Sequence, residues 1–144
     1  MPSKELQFWR REASVRNLAI LFIVLIRQGI IYLWYSPVLF AKHWIAGTNK
    51  PPGHLRRKDP VSWMASVAGA FLYIYFLDWL LTVSNTQQMA GALKLGFITW
   101  LGMILPTLVI HYKLLGYPWS VIEIDSGKEL FCALLTAAIL FTWR

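Results

Sequence analysis

Gly29-Ile-Ile-Tyr-Leu-Trp-Tyr-Ser-Pro-Val-Leu-Phe40 closes the first long apolar run of this chain, with Lys42 and Trp44 just beyond it. Tyr32, Trp34 and Tyr35 carry amphipathic rings that suit the headgroup level of a bilayer. Ser36-Pro37 predicts a helix stop, because the residue before a proline is pushed out of the α region. An apolar helix that runs into aromatic rings, a proline and a basic loop is a chain leaving a membrane. Trp34-Tyr35-Ser36-Pro37 therefore reads as an interfacial anchor and helix stop, with the lining of a ligand entrance as the other reading.

Composition says the same. The 144 residues suffice for one domain, 57% of them are hydrophobic, and only 15% are charged. Soluble domains carry about 25% charged residues, and they need that polar surface to cover a core. Mean hydropathy is +0.50. Trp44, Trp63, Trp119 and Trp143 stand at the ends of apolar runs, in the manner of an aromatic belt. The net charge of +7 invites a nucleic-acid reading, but basic flanks beside membrane spans are the rule and account for it without nucleic acid. Cys132 is the lone cysteine. That excludes an intrachain disulfide and a Cys-rich metal centre. The first apolar run is too long for a signal peptide and no small-residue cleavage site follows, so it reads as a retained helix.

The expected organisation is all-α: a four-helix integral membrane bundle with both termini on the same side. Residues 1–16 form a basic leader, interfacial or free, and residues 17–144 the membrane domain. Its helices are expected at about 17–35, 61–83, 91–115 and 120–143, since a span needs roughly 20 residues. Ala41 to Pro60 reads as a loop. Pro106 predicts a kink, because it removes one backbone donor and crowds the preceding turn. The fourth helix spans only if its first turns include Glu123, Asp125, Lys128 and Glu129, which must then face the bundle or a wet cavity. Small residues (Ser62, Ser66 and Ala70; Ala65 and Gly69; Ala92 and Gly96) recur at spacing four, which lets helices approach closely. Lys and Arg are balanced between the two sides, so charge does not orient the protein.

Three constellations are candidates for chemistry. Arg27 interrupts the first span, at a cost of roughly 2.5–3.5 kcal/mol if unpaired. Asp78 interrupts the second, and a structural Arg27–Asp78 ion pair is expected; an anionic-ligand site around Arg27 is the alternative. His111, Asp125 and Glu129, with Glu123 and Lys128, make a second cluster. Asp125 and Glu129 share a helix face. This cluster reads as acid/base or relay groups, or as a solvated helix start. Arg56-Arg57-Lys58 suits anionic lipid headgroups, or serves as a topology signal. No metal-ligand spacing, phosphate loop or nucleophile elbow occurs.

Three stretches carry a family likeness: Gly29-x-x-x-x-Trp-Tyr-Ser-Pro-x-x-Phe-x-x-x-Trp44, Leu95-Gly-Phe-x-x-Trp-Leu-Gly102, and Ile124-Asp-x-Gly127 with a closing Ala138-Ile-Leu-x-x-x-Arg144. With them the chain resembles the small four-helix membrane proteins grouped as domain of unknown function 1761. The resemblance implies four membrane helices and no reaction. It also marks a departure: after Ile124-Asp-x-Gly the family pattern places an aromatic residue and a histidine, where this chain has Lys128-Glu129.

The sequence therefore points to a multi-pass membrane protein that handles a small solute or ion, or supports a membrane partner. The alternatives are a membrane-embedded enzyme acting on an apolar or lipid substrate and a lipid-binding scaffold. The bilayer is the expected partner, with a homo-oligomer or partner protein compatible. No cofactor, metal or nucleic acid is implied, and which membrane holds the chain is not encoded.

Overall fold

The computed structural model describes residues 4–51 and 59–143, with side chains from residue 15 onward. All regular structure among the described residues is helical. The elements are α1 (Lys4–Trp34), α2 (Ala41–Thr48), α3 (Pro60–Val83), α4 (Met89–Thr99), a π-helical turn (Trp100–Ile104), α5 (Leu105–Leu114) and α6 (Trp119–Thr142). Among the described residues three stretches are long and apolar enough to cross a membrane: Val15–Trp34, Pro60–Val83 and Met89–Leu114.

Helix α1 starts at Lys4, not at Asn17 as expected. The leader contains no glycine or proline after Lys4, so nothing breaks the helix. Its 31 residues extend about 46 Å at the standard rise. It ends at Trp34, and the turn through Ser36-Pro37 is closed by Phe40 N–H donating to Trp34 O and Ala41 N–H to Ser36 O. The expected loop from Ala41 to Pro60 needs correction. Its first part is helix α2, stopped at Asn49 by a left-handed backbone (φ 53°). Gly47 allows α2 to lie on the start of α6, since a Cβ there would stand 2.6 Å from Val121 Cγ2. Arg56, Arg57 and Lys58 lie outside the described residues.

Helix α3 is started by Asp59, whose carboxylate accepts from the Ser62 N–H (2.8 Å) and hydroxyl (2.7 Å), with Pro60 in the first turn. A proline there costs nothing, since its N–H would have no helical partner. The expected disturbance from Pro106 takes the form of the π-turn in the preceding turn of the helix. Leu105 N–H reaches back to Trp100 O, so the helix absorbs the missing proline donor by widening a turn rather than stopping.

Two contacts set the register of α1 against α3. Arg16 Nε donates to Asp78 Oδ2 at 2.7 Å, and Ser66 Oγ donates to Gln28 Oε1 at 3.1 Å. The second is twelve residues further along α1 and twelve residues back along α3, so the two helices are antiparallel in one unbroken register. Ile20, Ile23, Ile74, Leu77 and Leu81 fill the seam.

Helix α6 is the centre of the packing. Val121, Ile122, Cys132, Ala133, Thr136, Ala137 and Leu140 on it are all buried. It is not among the apolar spans, because its first half carries the charges. Helix α4 approaches it closely: a Cβ on Gly96 would lie 3.0 Å from Ala133 O and 3.1 Å from Ala137 Cβ. The Ala92/Gly96 pair therefore packs this chain against itself. Gly69 meets nothing within 4 Å. Large apolar side chains such as Leu18, Leu25, Leu72, Met103 and Ile110 face outward, while Arg27, Asp78, Asp125 and Thr136 are inside. Apolar outside and charged inside is the arrangement a bilayer solvent selects.

Candidate functional site

The inward face of α6 carries Asp125, Glu129, Cys132 and Thr136, spaced four, three and four residues apart. That spacing keeps them on one stripe of an α-helix. Helix α1, α2, α3 and α5 each bring polar side chains to this stripe, and together they form one continuous network.

At the outer end stands Asp125, 3% exposed. Three ring donors from three segments converge on its carboxylate: the Tyr35 hydroxyl on Oδ1, and on Oδ2 the Tyr112 hydroxyl at 2.7 Å and the Trp44 indole at 3.2 Å. Each exists because of a local break in the chain. Tyr35 is turned inward where α1 stops, and Trp44 is carried back by α2. Tyr112 lies on the last turn of α5. Burial first, and then the charge of Asp125, push the Tyr35 phenol well above its ordinary range. It therefore remains a protonated donor at every physiological pH. Lys128 lies over the Tyr35 ring, 5.2 Å from its centroid, and donates to the hydroxyl at 3.3 Å.

The inner end is the Arg27–Glu129 pair. Arg27 Nη2 is 3.0 Å from Glu129 Oε2, and Lys128 Nζ is 3.0 Å from Oε1. Arg27 Nη1 also reaches Thr136 Oγ1 at 3.5 Å, and the guanidinium stacks over Tyr73, 5.1 Å from its centroid. Tyr73 continues to Thr99 at 3.0 Å, whose hydroxyl caps Gly96 O.

Arg27 is buried and paired, as its cost in a span requires, but its partner differs from the expected one. In the α1–α3 register Arg27 sits eleven residues from the level of Asp78, about 16 Å at the helical rise. Asp78 is served by Arg16 instead. Arg16 lies within α1 and not in a separate leader, which brings it level with Asp78. Trp34 and Tyr35 also point inward, onto α6. The Trp34 indole donates to Ile124 O at 3.0 Å and its ring lies 3.9 Å from the Cβ position of Gly127. Tyr32, by contrast, is exposed. His111 is exposed and rests against the Tyr112 ring, so the expected His111–Asp125–Glu129 grouping is reduced to its carboxylates. One residue along a helix turns the side chain by about 100°, and Tyr112 occupies the place foreseen for His111. Glu123 is exposed as well.

Tyr112, Trp44, Thr136 and Tyr73 were not singled out from the sequence as partners of the charges. The stripe from Asp125 to Thr136 was available as a signal, since polar residues at helical spacing in an apolar run must face inward. Among the described residues no three His, Cys, Asp or Glu side chains gather as metal ligands.

Trp34 at the end of the first helix, Tyr35 just after it, Trp100 at the π-turn (its indole on Ser126 O at 2.9 Å) and Asp125 on α6 lie in the stretches that carry the resemblance. The family model described as "Protein of unknown function (DUF1761)" matches residues 18–141. The chain belongs to the DUF1761 family. No curated protein and no solved structure matches it. In this DUF1761 chain, then, Trp34, Tyr35 and Trp100 hold the first half of α6, and the family supplies no reaction to place there.

Proposed function

We propose that this DUF1761 protein is a multi-pass membrane protein with four spanning helices, α1, α3, α4–α5 and α6, and both termini on one side, and that it handles a small solute or ion at the charged stripe of α6. The observation that carries the reading is the Arg27–Glu129–Lys128 array beside Asp125. Four ionisable groups are held inside a protein whose exterior is apolar, and charges at such depth mark ion and solute pathways more often than folding devices. The antiparallel register of α1 and α3 supports the termini assignment. An acid/base enzyme draws less support, because its only histidine candidate in the cluster, His111, is exposed.

The test is flux. The purified chain in phosphatidylcholine vesicles should dissipate an imposed potassium nitrate, potassium chloride or proton gradient faster than empty vesicles, read by light scattering and an entrapped pH dye. Arg27→Gln, shown to be folded, should abolish the difference. Folded wild-type protein that passes none of the three would favour a scaffold in the membrane.

A further inference from the structure

The charges around Glu129 are unequal. One carboxylate bridges two cations, with Arg27 on Oε2 and Lys128 on Oε1, both at 3.0 Å. Arg27 Nε is buried and has no hydrogen-bond partner, and neither has Nε2 of the adjacent Gln28. Buried N–H groups are nearly always paired, and a guanidinium can only donate, so the Arg27 side chain retains capacity for one more acceptor. Glu129 is also the member of the trio that water reaches best: its side chain is 23% exposed, against 8% for Arg27 and 13% for Lys128. The two cations are fixed in place, by the Tyr73 ring and Thr136 for Arg27 and by the Tyr35 ring and hydroxyl for Lys128. The carboxylate has no anchor except those two cations.

We propose that Arg27 and Lys128 form a binding site for a small monovalent oxyanion, and that the Glu129 carboxylate occupies this site at rest. The proposal deepens the ion-handling reading and rests on it. When Glu129 takes a proton from hydronium in the surrounding solution, leaving water, its O–H bond forms and its negative charge is gone. The arriving anion restores that charge between the same two cations. One proton and one anion bind together, and the charge inside the helices does not change. That balance matters, because an unbalanced charge at this depth is costly. The ionisable groups facing Glu129 are Arg27 from α1, Tyr35 after it, Tyr73 from α3, Tyr112 from α5, and Asp125, Lys128 and Cys132 on α6 itself. Asp125 is held by the Tyr35, Tyr112 and Trp44 donors, so Glu129 is the carboxylate free to exchange.

Nitrate is the probe, since it is planar like a carboxylate and does not titrate. The full chain in neutral detergent is titrated with sodium nitrate at several pH values, with bulky sodium gluconate as the ionic-strength reference, and binding is read as a rise in unfolding temperature. The wild type should bind nitrate about tenfold more tightly for each unit the pH falls while Glu129 is ionised, as one linked proton requires. Glu129→Gln should bind tightly at pH 7 and lose that pH dependence, and adding Arg27→Gln should remove nitrate binding. A flat wild-type pH profile, or a Glu129→Gln response no greater to nitrate than to gluconate, overturns the site. If Glu129→Gln does not fold, the wild-type series decides alone. Stabilisation by phosphatidylglycerol-doped micelles without any by nitrate would overturn the free-anion assignment in favour of a lipid headgroup. The titration uses no gradient. Nitrate binding without vesicle flux rejects transport alone, and flux without nitrate binding rejects the oxyanion site alone.

Discussion

Arg27 Nη2 meets Glu129 Oε2 at 3.0 Å across 102 positions of sequence, and Asp78, the acid expected to hold this arginine, is bound by Arg16. The two ion pairs differ in kind. Arg16 is half exposed and its bridge lies at the margin of the apolar run, where such pairs contribute little. Arg27 is inside, where an unpaired charge is costly.

Removing the two partners of the inner pair should therefore have unequal effects. Arg27→Ala leaves Glu129 with Lys128. Glu129→Ala leaves two cations facing each other and should be the more destabilising. Breaking a buried pair costs about 3–5 kcal/mol, and the partial exposure of Glu129 will lower that figure for Arg27→Ala. The double variant should recover about 0.5–3 kcal/mol relative to additivity. Unfolding of the four proteins in mild detergent measures the cycle, and strict additivity would mean the pair is not coupled.

Asp125 is the acceptor of three ring donors, so its loss should exceed that of any one of them. Tyr35→Phe should cost about 1.5–3 kcal/mol, the range for a hydrogen bond to a charged group. Asp125→Ala strands the Tyr35, Tyr112 and Trp44 donors at once and should cost more than Tyr35→Phe and Tyr112→Phe singly. Comparing melting temperatures of the three variants checks the order.

The Tyr35 phenol also gives a pH signature. Its folded-state ionisation is raised above the ordinary value of 10.0. The unfolded chain therefore releases this proton first as pH rises. Stability from Tyr35 is complete below that value and is lost as pH climbs above it. Tyr35→Phe should be less stable than the wild type at pH 8, and the gap should narrow in alkaline melts above pH 10. A gap that stays constant would show that Tyr35 does not ionise differently in the two states.

Two glycines on spanning helices should respond in opposite ways. Gly96→Val must displace the α6 backbone at Ala133 and should cost about 1–3 kcal/mol or more, as overpacking does. Gly69→Ala enters open space on α3 and should gain up to about 1 kcal/mol from helix propensity. Thermal unfolding in one detergent compares them. Equal effects would mean that α4 and α6 can separate without cost.

Much of the fold was legible locally. The stop at Ser36-Pro37 depends on backbone chemistry that neighbours cannot override, and α1 ends there; the start of α3 at Pro60, capped by Asp59, lies one residue before the expected one. Helix α1 starts at Lys4 rather than Asn17, because charge does not unwind a helix that lacks glycine and proline. Helix α2 was missed because its eight residues are too few for a periodic signal and are stabilised by contact with α6. Pro106 crowds the preceding turn, and the π-turn at Trp100–Ile104 lies there.

The sequence by itself determined that these are apolar helices with charges that must turn inward, because burial of an unpaired charge in lipid is penalised whatever the partner. It could not determine which charges meet. Partner choice depends on the axial register of helices far apart in sequence, and one helical turn of offset exchanges one acid for another. Only the packing of α1 against α3 and α6 decided that Arg27 faces Glu129, that Arg16 serves Asp78, and that Tyr112 rather than His111 reaches Asp125.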